Sequence, residues 1–414
     1  MEQPLSLWEA VCLGMNVTLA FELEGTLTAG DVYKAFKATA AEYRYLRCVI
    51  NYRSAEFGKD WFFVEDANKI VQLRFFEHQT VDWQTRIQQM ANEPRDHTRS
   101  LSWLELYSKG SHHQLFATVS HAGMDGTGVF FIFHRFFEHL GQIAGGKPRQ
   151  SYPQREFVEL KNRIPQEAAS IPQPTLPADY MRKLSNETSQ ASDGKSPRVE
   201  AIFGELSKEV TANLEARAKS HGSSVQGIIS AASMVAIAQA QSSQYPLPQT
   251  LLVQAPTNLR KQLSPPVDTD NSFCGSSFLW WAQPMSGDET VWEIARKATE
   301  HARHENEKKG GLGFWYHITS SSVGINPIQG RYNDIKIHQA SMMLATYDKV
   351  DPNEPVVMTH AQTFDGRLCT TFGFSLPSVG EERAQRIAAL QNKVIELLAG
   401  DLGESLRVSE ALAM

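Results

Sequence analysis

The sequence predicts an α+β protein of two domains, each built on a mixed sheet, and three observations carry that expectation. Its 414 residues exceed one ordinary core and suit two domains of about 200 residues each. Strand-like and helix-like segments alternate in both halves, without the strict βαβ rhythm of a doubly wound nucleotide-binding fold. Between Asn162 and Ser196 the apolar periodicity gives way to proline, serine, glutamine and alanine, as in Ile171-Pro172-Gln173-Pro174. Such a stretch buries little apolar surface and reads as a linker or long surface crossover. The expected division is an N-terminal domain over 1–165, a linker over 166–198 and a C-terminal domain over 199–414.

In the first half, Val17 to Leu23 alternates as a strand does. Thr28, with Asp31 in the capping-box position, opens a helix whose apolar face is Val32, Ala35, Phe36, Thr39, Ala40 and Tyr43. Leu46 to Tyr52 returns to strand character. Leu115 to Ser120 is a further strand, and it runs into a glycine-containing turn. A helix follows, with Val129, Phe130, Ile132, Phe133, Phe136, Phe137 and Leu140 on it and Gly141 as its expected end. In the second half, a strand near Val199 to Leu206 precedes a helix capped by Ser207 and stopped at Gly222. Ser224 opens an alanine- and serine-rich helix, Val225 to Gln241, whose small residues suit close packing. Leu251 to Ala255 reads as a buried strand ending at Pro256. Helices are expected over residues 290–305 and, as the last element, over 381–398.

Composition excludes several classes of function. Hydrophobic residues make up 42% and charged residues 21%, so both halves can bury a core. A net charge of −6 argues against nucleic acid as a main partner, since phosphate binding needs a clustered basic face. No apolar run approaches the ~20 residues needed to span a bilayer, and the N-terminus lacks the basic start and apolar stretch of a signal peptide. Cys12, Cys48, Cys274 and Cys369 lie far apart and form no metal-type pair, so they read as reduced core residues of a cytoplasmic protein. There is no P-loop, no Gly-x-Gly-x-x-Gly after a strand and no zinc spacing, so no metal is expected.

Ser120-His121-Ala122-Gly123-Met124-Asp125-Gly126 is the most informative stretch. A buried strand ends at His121, the turn holds two glycines, and an apolar helix starts soon after. Such a turn presents a side chain at a sheet edge on rigid backbone. Moving an acyl group from a thioester to an alcohol or amine needs a base to take the acceptor's proton, and imidazole suits that task near neutral pH. The thioester is already activated, so neither Ser120 nor a cysteine is needed as nucleophile. Asp125 would fix the loop by pairing with an arginine elsewhere, serving geometry more than proton transfer. By its letters alone His-x-x-x-Asp occurs by chance in many chains.

The stretch resembles the His-His-x-x-x-Asp-Gly signature of the condensation-domain-like acyltransferases. That superfamily includes chloramphenicol acetyltransferase, carnitine acyltransferases, plant BAHD enzymes, peptide condensation domains and polyketide-associated alcohol acyltransferases. Further blocks are similar in the family's order: Glu24 to Thr28, Tyr43-Arg44-Tyr45-Leu46-Arg47, Ala255 to Arg260 with Pro265-Pro266, Asn271 to Phe278, Ser320 to Gly324, and Asp365 to Leu368 leading to Thr371 to Ser375. The likeness thus spans nearly the whole chain, although only the His121 to Gly126 block is specific by itself.

The resemblance implies two chloramphenicol-acetyltransferase-like domains with a tunnel between them, and a catalytic group of His121, Asp125 and Gly126. It implies Arg260, from the other half, as the partner of Asp125, and makes Ser322, Gly324 and Ser375 candidates for oxyanion stabilisation or tunnel lining. It further implies acyl transfer from CoA or a carrier-protein thioester to a hydroxyl of a small secondary metabolite. No cofactor would be bound permanently, the protein would be a monomer, and an acyl carrier protein or polyketide synthase is the expected protein partner. The type resembled is the polyketide-associated alcohol O-acyltransferase. Ser120 departs from the signature's first histidine, Ser322 stands where relatives carry asparagine, and the Asp-Phe-Gly-Trp-Gly motif of plant BAHD enzymes is absent as such.

Two other readings remain open. The same fold could serve cyclisation or another natural-product assembly step, which adds no acyl group and releases no thiol. A pure binding module would have no use for a base. Elsewhere, His112-His113 are expected to be exposed, and His134 and His139 to be hydrogen-bonded or at the surface. Trp280-Trp281 line an acyl channel or form a packed core pair. Lys308-Lys309-Gly310-Gly311 reads as a solvated basic loop, with a pantetheine-phosphate contact as the second reading.

Overall fold

The computed structural model describes residues 2–66, 68, 71–147, 150, 152–163, 197–243, 246–307, 318–346 and 357–414. The Lys308 to Gly311 loop, and the expected linker apart from residues 197 and 198, lie outside them. The architecture is α+β. The chain forms, in order, β1 (Glu2–Pro4), α1 (Leu7–Cys12), β2 (Met15–Glu24), α2 (Ala29–Glu42), β3 (Cys48–Tyr52), β4 (Trp61–Glu65), β5 (Gln72–Glu77), α3 (Trp83–Asn92), β6 (Ser102–Lys109), β7 (His112–Ser120) and α4 (Gly126–Ala144). A short α5 (Leu160–Arg163), β8 (Arg198–Glu205), α6 (Lys208–Ser220), α7 (Val225–Ala240), β9 (Gln249–Asn258), β10 (Ser276–Met285) and α8 (Val291–Glu307) follow. Then come β11 (Ile318–Ile325), β12 (Arg331–Tyr332), β13 (Ile335–Thr346), β14 (Val357–Phe364), β15 (Arg367–Leu376), α9 (Glu381–Leu398) and α10 (Val408–Leu412).

Contacts divide the chain into two units. The first is Met1–Pro165 with Leu259–Ser276 and Asn326–Lys349; the second is Gln166–Asn258 with Ser277–Ile325 and Val350–Met414. Two segments that the sequence places in the C-terminal domain therefore pack with the first unit.

The first unit rests on a six-stranded sheet in the order β12, β13, β2, β7, β6, β5, with a smaller sheet of β1, β4 and β3 beside it. Most neighbours are antiparallel, but β5 and β6 run parallel, so the sheet is mixed. Strand β7 lies between β2 and β6 and is buried along nearly its whole length. Helix α4 covers this sheet. Its Phe137 ring meets Phe21 of β2 edge-on at 4.9 Å, and Phe136 faces Phe36 of α2 at 6.2 Å. Offset and edge contacts of this kind add to the area term of buried aromatics.

The second unit holds a six-stranded sheet in the order β10, β9, β11, β14, β15, β8, in which β11 runs parallel to both its neighbours. Helix α7 is buried over almost all its length. A Cβ at Gly227 would lie 2.4 Å from the Ala295 carbonyl oxygen of α8, so only glycine permits that approach. Among the described residues no single helix is long and apolar enough to cross a membrane.

Several sequence-level expectations are corrected. Gly141 does not end α4, which continues to Ala144; it sits where the helix backbone meets Tyr332. Leu46 to Tyr52 is not all strand, because Arg44–Arg47 forms a 3-10 turn ahead of β3. Pro256 lies within β9 rather than ending it, and α9 is followed by α10. His113 is buried, bonded to the Ser108 hydroxyl at 2.8 Å and the Gly25 carbonyl at 3.1 Å, while its neighbour His112 is exposed.

Candidate active site

Strand β7 delivers His121 to the site. The backbone N–H of His121 donates to the Met15 carbonyl at the start of β2, which prolongs the sheet ladder to the histidine itself. Immediately beyond, Gly123 N–H donates to the Ser120 carbonyl and Met124 N–H to that of His121, closing a tight turn. Glycine fits at 123 because a Cβ there would press the Tyr45 ring at 3.3 Å. Ser120 is wholly buried within β7.

Asp125 then caps α4. Its Oδ1 accepts the Gly128 N–H at 2.7 Å, satisfying one of the unpaired donors of the first turn. The same carboxylate takes a two-point bond from Arg260: Nη1 to Oδ2 at 2.7 Å and Nη2 to Oδ1 at 3.0 Å. Both side chains are almost wholly buried. Arg260 also donates to the Asn271 carbonyl, from Nη2 at 2.8 Å and Nε at 3.3 Å, and its guanidinium lies over the Phe273 ring. Asp125 N–H in turn donates to the Phe273 carbonyl. A buried charge is tolerable only when paired and hydrogen-bonded in this way. Because Leu259–Ser276 belongs to the first unit, the Asp125–Arg260 pair is internal to that unit and is not a tie between two domains. Gly126, the first residue of α4, is half-buried.

The imidazole of His121 is packed on most sides, yet the residue keeps part of its surface accessible. Nδ1 lies 3.6 Å from the Cys274 sulfur. With Nδ1 turned to the Cys274 sulfur, Nε2 is the ring nitrogen left to meet a substrate. Burial works against the charged ring. The hydrogen bond and charge of Cys274, with the Asp125 charge, outweigh burial and hold the pKa above the ordinary histidine value. Burial pushes the Cys274 thiol well above its own usual value.

Cys12, at the end of α1, completes this corner: its sulfur, that of Cys274 and a ring nitrogen of His121 all lie within 4.8 Å of one another. Sequence reasoning missed both cysteines, because their separation in the chain carries no spacing signal. It placed His121, Asp125, Gly126 and Arg260, which the fold gathers in one unit.

Ser322, Gly324 and Ser375 lie in the second unit. The Ser322 N–H donates to Gln226 Oε1 at 2.5 Å, and its hydroxyl accepts the Gly324 N–H at 3.3 Å. Gly324 has a φ of +78°, a region that favours glycine. Ser375 is buried and shares a hydrogen bond of 2.7 Å with the Ser378 hydroxyl. Trp281 is buried and stacks on His301 at 5.5 Å, whereas Trp280 is only partly covered. His139 bonds Glu42 at 2.6 Å, and His134 bonds the Tyr332 hydroxyl at 2.6 Å.

Comparison with known proteins places these features in context. A family model described as phthiocerol/phthiodiolone dimycocerosyl transferase C-terminus matches residues 195–307. Comparison with curated protein sequences gives no match. Among solved structures, polyketide synthase associated protein 5 from Mycobacterium tuberculosis superposes with a TM-score of 0.70 at 17% identity, over 95% of this chain and 98% of that one. The condensation domain of the monacolin K polyketide synthase gives 0.69 at 12% identity over 99% of each chain. Trichothecene 15-O-acetyltransferase from Fusarium sporotrichioides gives 0.62 at 11% identity, over 96% of this chain and 95% of that one. The chain thus has the fold of the condensation-domain-like acyltransferases, as the sequence resemblance implied.

Proposed function

We propose that the protein is an acyl-thioester-dependent O-acyltransferase in which His121 is the general base. The observation that supports this most is the placing of the imidazole: Nδ1 faces the Cys274 sulfur, which leaves Nε2 for a substrate, on a turn pinned by the buried Asp125–Arg260 pair. In the reaction, an acceptor hydroxyl gives its proton to Nε2 as its oxygen attacks the thioester carbonyl. The tetrahedral intermediate collapses, expelling the sulfur, which takes that proton back as a free thiol. His121 ends as it began, and no covalent acyl-enzyme forms.

The donor is acyl-CoA or an acyl group on a carrier protein, and the acceptor a small hydroxylated metabolite. The likeness to a polyketide synthase associated protein supports a carrier protein or synthase as partner. The test is to incubate the protein with a panel of acyl-CoAs and alcohols, follow thiol release, and weigh the product. Acyl transfer adds one acyl group per thiol released; a product of unchanged acyl content with no thiol would favour cyclisation. The base must be neutral to act, so kcat/KM is expected to fall on acidification with a midpoint above 6.5, the ordinary histidine value. A profile flat from pH 6 to 8 would count against His121 as the base.

A further inference from the structure

The corner behind the imidazole holds two soft sulfur ligands and a nitrogen, a donor set that the proposed acyl transfer does not use. We propose that Cys12, Cys274 and His121 form a binding site for a thiophilic divalent ion such as Zn2+, whose occupation takes the base out of service. Zinc favours such ligands, and three protein ligands leave its fourth position to water. Bonds of about 2.3 Å to sulfur and about 2.0 Å to nitrogen, at a tetrahedral angle, set sulfur and nitrogen about 3.5 Å apart. The distance between Cys274 Sγ and His121 Nδ1 is 3.6 Å, and all three donor atoms fall within 4.8 Å of one another.

The ligands come from separate elements, each fixed by its own packing. Cys12 ends α1, His121 follows β7, and Cys274 sits in the segment anchored by Arg260 and Asn271. Both cysteines are fully buried, so an ion enters past His121, the partly accessible member. Both thiols give up their protons as the metal–sulfur bonds form, releasing two protons per ion. The metal takes the Nδ1 lone pair, so the neutral ring must carry its remaining proton on Nε2. That nitrogen can then no longer accept from a substrate hydroxyl. The inhibitory consequence rests on His121 being the base; the metal site itself does not.

Cobalt(II) is the probe. Titrated into the full-length reduced protein, one equivalent is expected to give thiolate-to-cobalt charge-transfer bands and the intense visible bands of a tetrahedral site. Zn2+ should displace it and, added to the metal-free protein at a pH where His121 is neutral, release two protons. Cys12→Ser and Cys274→Ser should each weaken binding at least about 10-fold, given that loss of even an outer-shell partner costs 10–100-fold. Cys369→Ser, outside the cluster, should leave it unchanged. Weak octahedral bands, or binding that releases no protons, would overturn the site, and both are read on the unmodified protein even if a cysteine variant fails to fold. Tetrahedral binding with thiol release unaffected by Zn2+ would overturn the inhibitory role while leaving the site standing. Absence of thiol release before any metal is added would instead count against the acyltransferase reading.

Discussion

At Asp125 one carboxylate serves two structural ends, capping α4 through Gly128 and neutralising the buried Arg260. Removing it leaves a guanidinium buried without its counter-charge, a loss typically worth about 3–5 kcal/mol. Asp125→Ala is therefore expected to lower the denaturant midpoint strongly. Asp125→Ala combined with Arg260→Met should recover part of the loss, and additive losses in that double-mutant cycle would contradict the pairing. Glu9 gives a second prediction at this scale. Burial raises its carboxyl from 4.5 to about 7, against the bonds from Ser6. The folded state then holds a proton that the unfolded chain releases near pH 4.5. Stability of about 3 kcal/mol, fully present below pH 4.5, is lost as the pH rises through about 7. In Glu9→Gln, urea midpoints should vary less between those pH values; an unchanged dependence would place the titration elsewhere.

Among elements, α4 carries the most direct link between packing and site, since its N-terminus is the Asp125 cap and its body covers the sheet that positions His121. Replacing a mid-helix glycine by alanine ordinarily gains up to about 1 kcal/mol. At Gly141 the sign should reverse, because the new Cβ would lie 2.8 Å from the Tyr332 carbonyl oxygen of β12, which is backbone and cannot swing aside. Gly141→Ala is expected to cost about 1–3 kcal/mol, as overpacked sites do; a rise in melting temperature would show that β12 gives way. The element boundaries were legible where caps and periodicity agree, as at Thr28 with Asp31 and at Ser224 with Gly227. They were misread where a tertiary neighbour explains a residue better than local signals do. Gly141 looked like a helix stop because its reason, Tyr332, is remote in sequence. Helix α1 went unread because six residues show too little periodicity, although Ser6 and Glu9 form a capping box.

For the whole molecule, the two-sheet α+β plan was legible in length and alternation. The return of Leu259–Ser276 and Asn326–Lys349 to the first unit was not, because strand pairing such as β13 with β2 leaves no local trace. The site was legible as far as the His121 to Gly126 motif and Arg260 reach. The sulfur corner was not, since only folding brings Cys12 to Cys274. The central claim concerns one nitrogen of one residue. Its most direct test compares thiol release by the native protein and by His121→Ala with the same acyl donor and alcohol, alongside their melting curves. The predicted result is a fall in kcat/KM of about 10²–10⁴-fold, the usual worth of a positioned base, at nearly unchanged stability. Full turnover by a folded His121→Ala protein would contradict it.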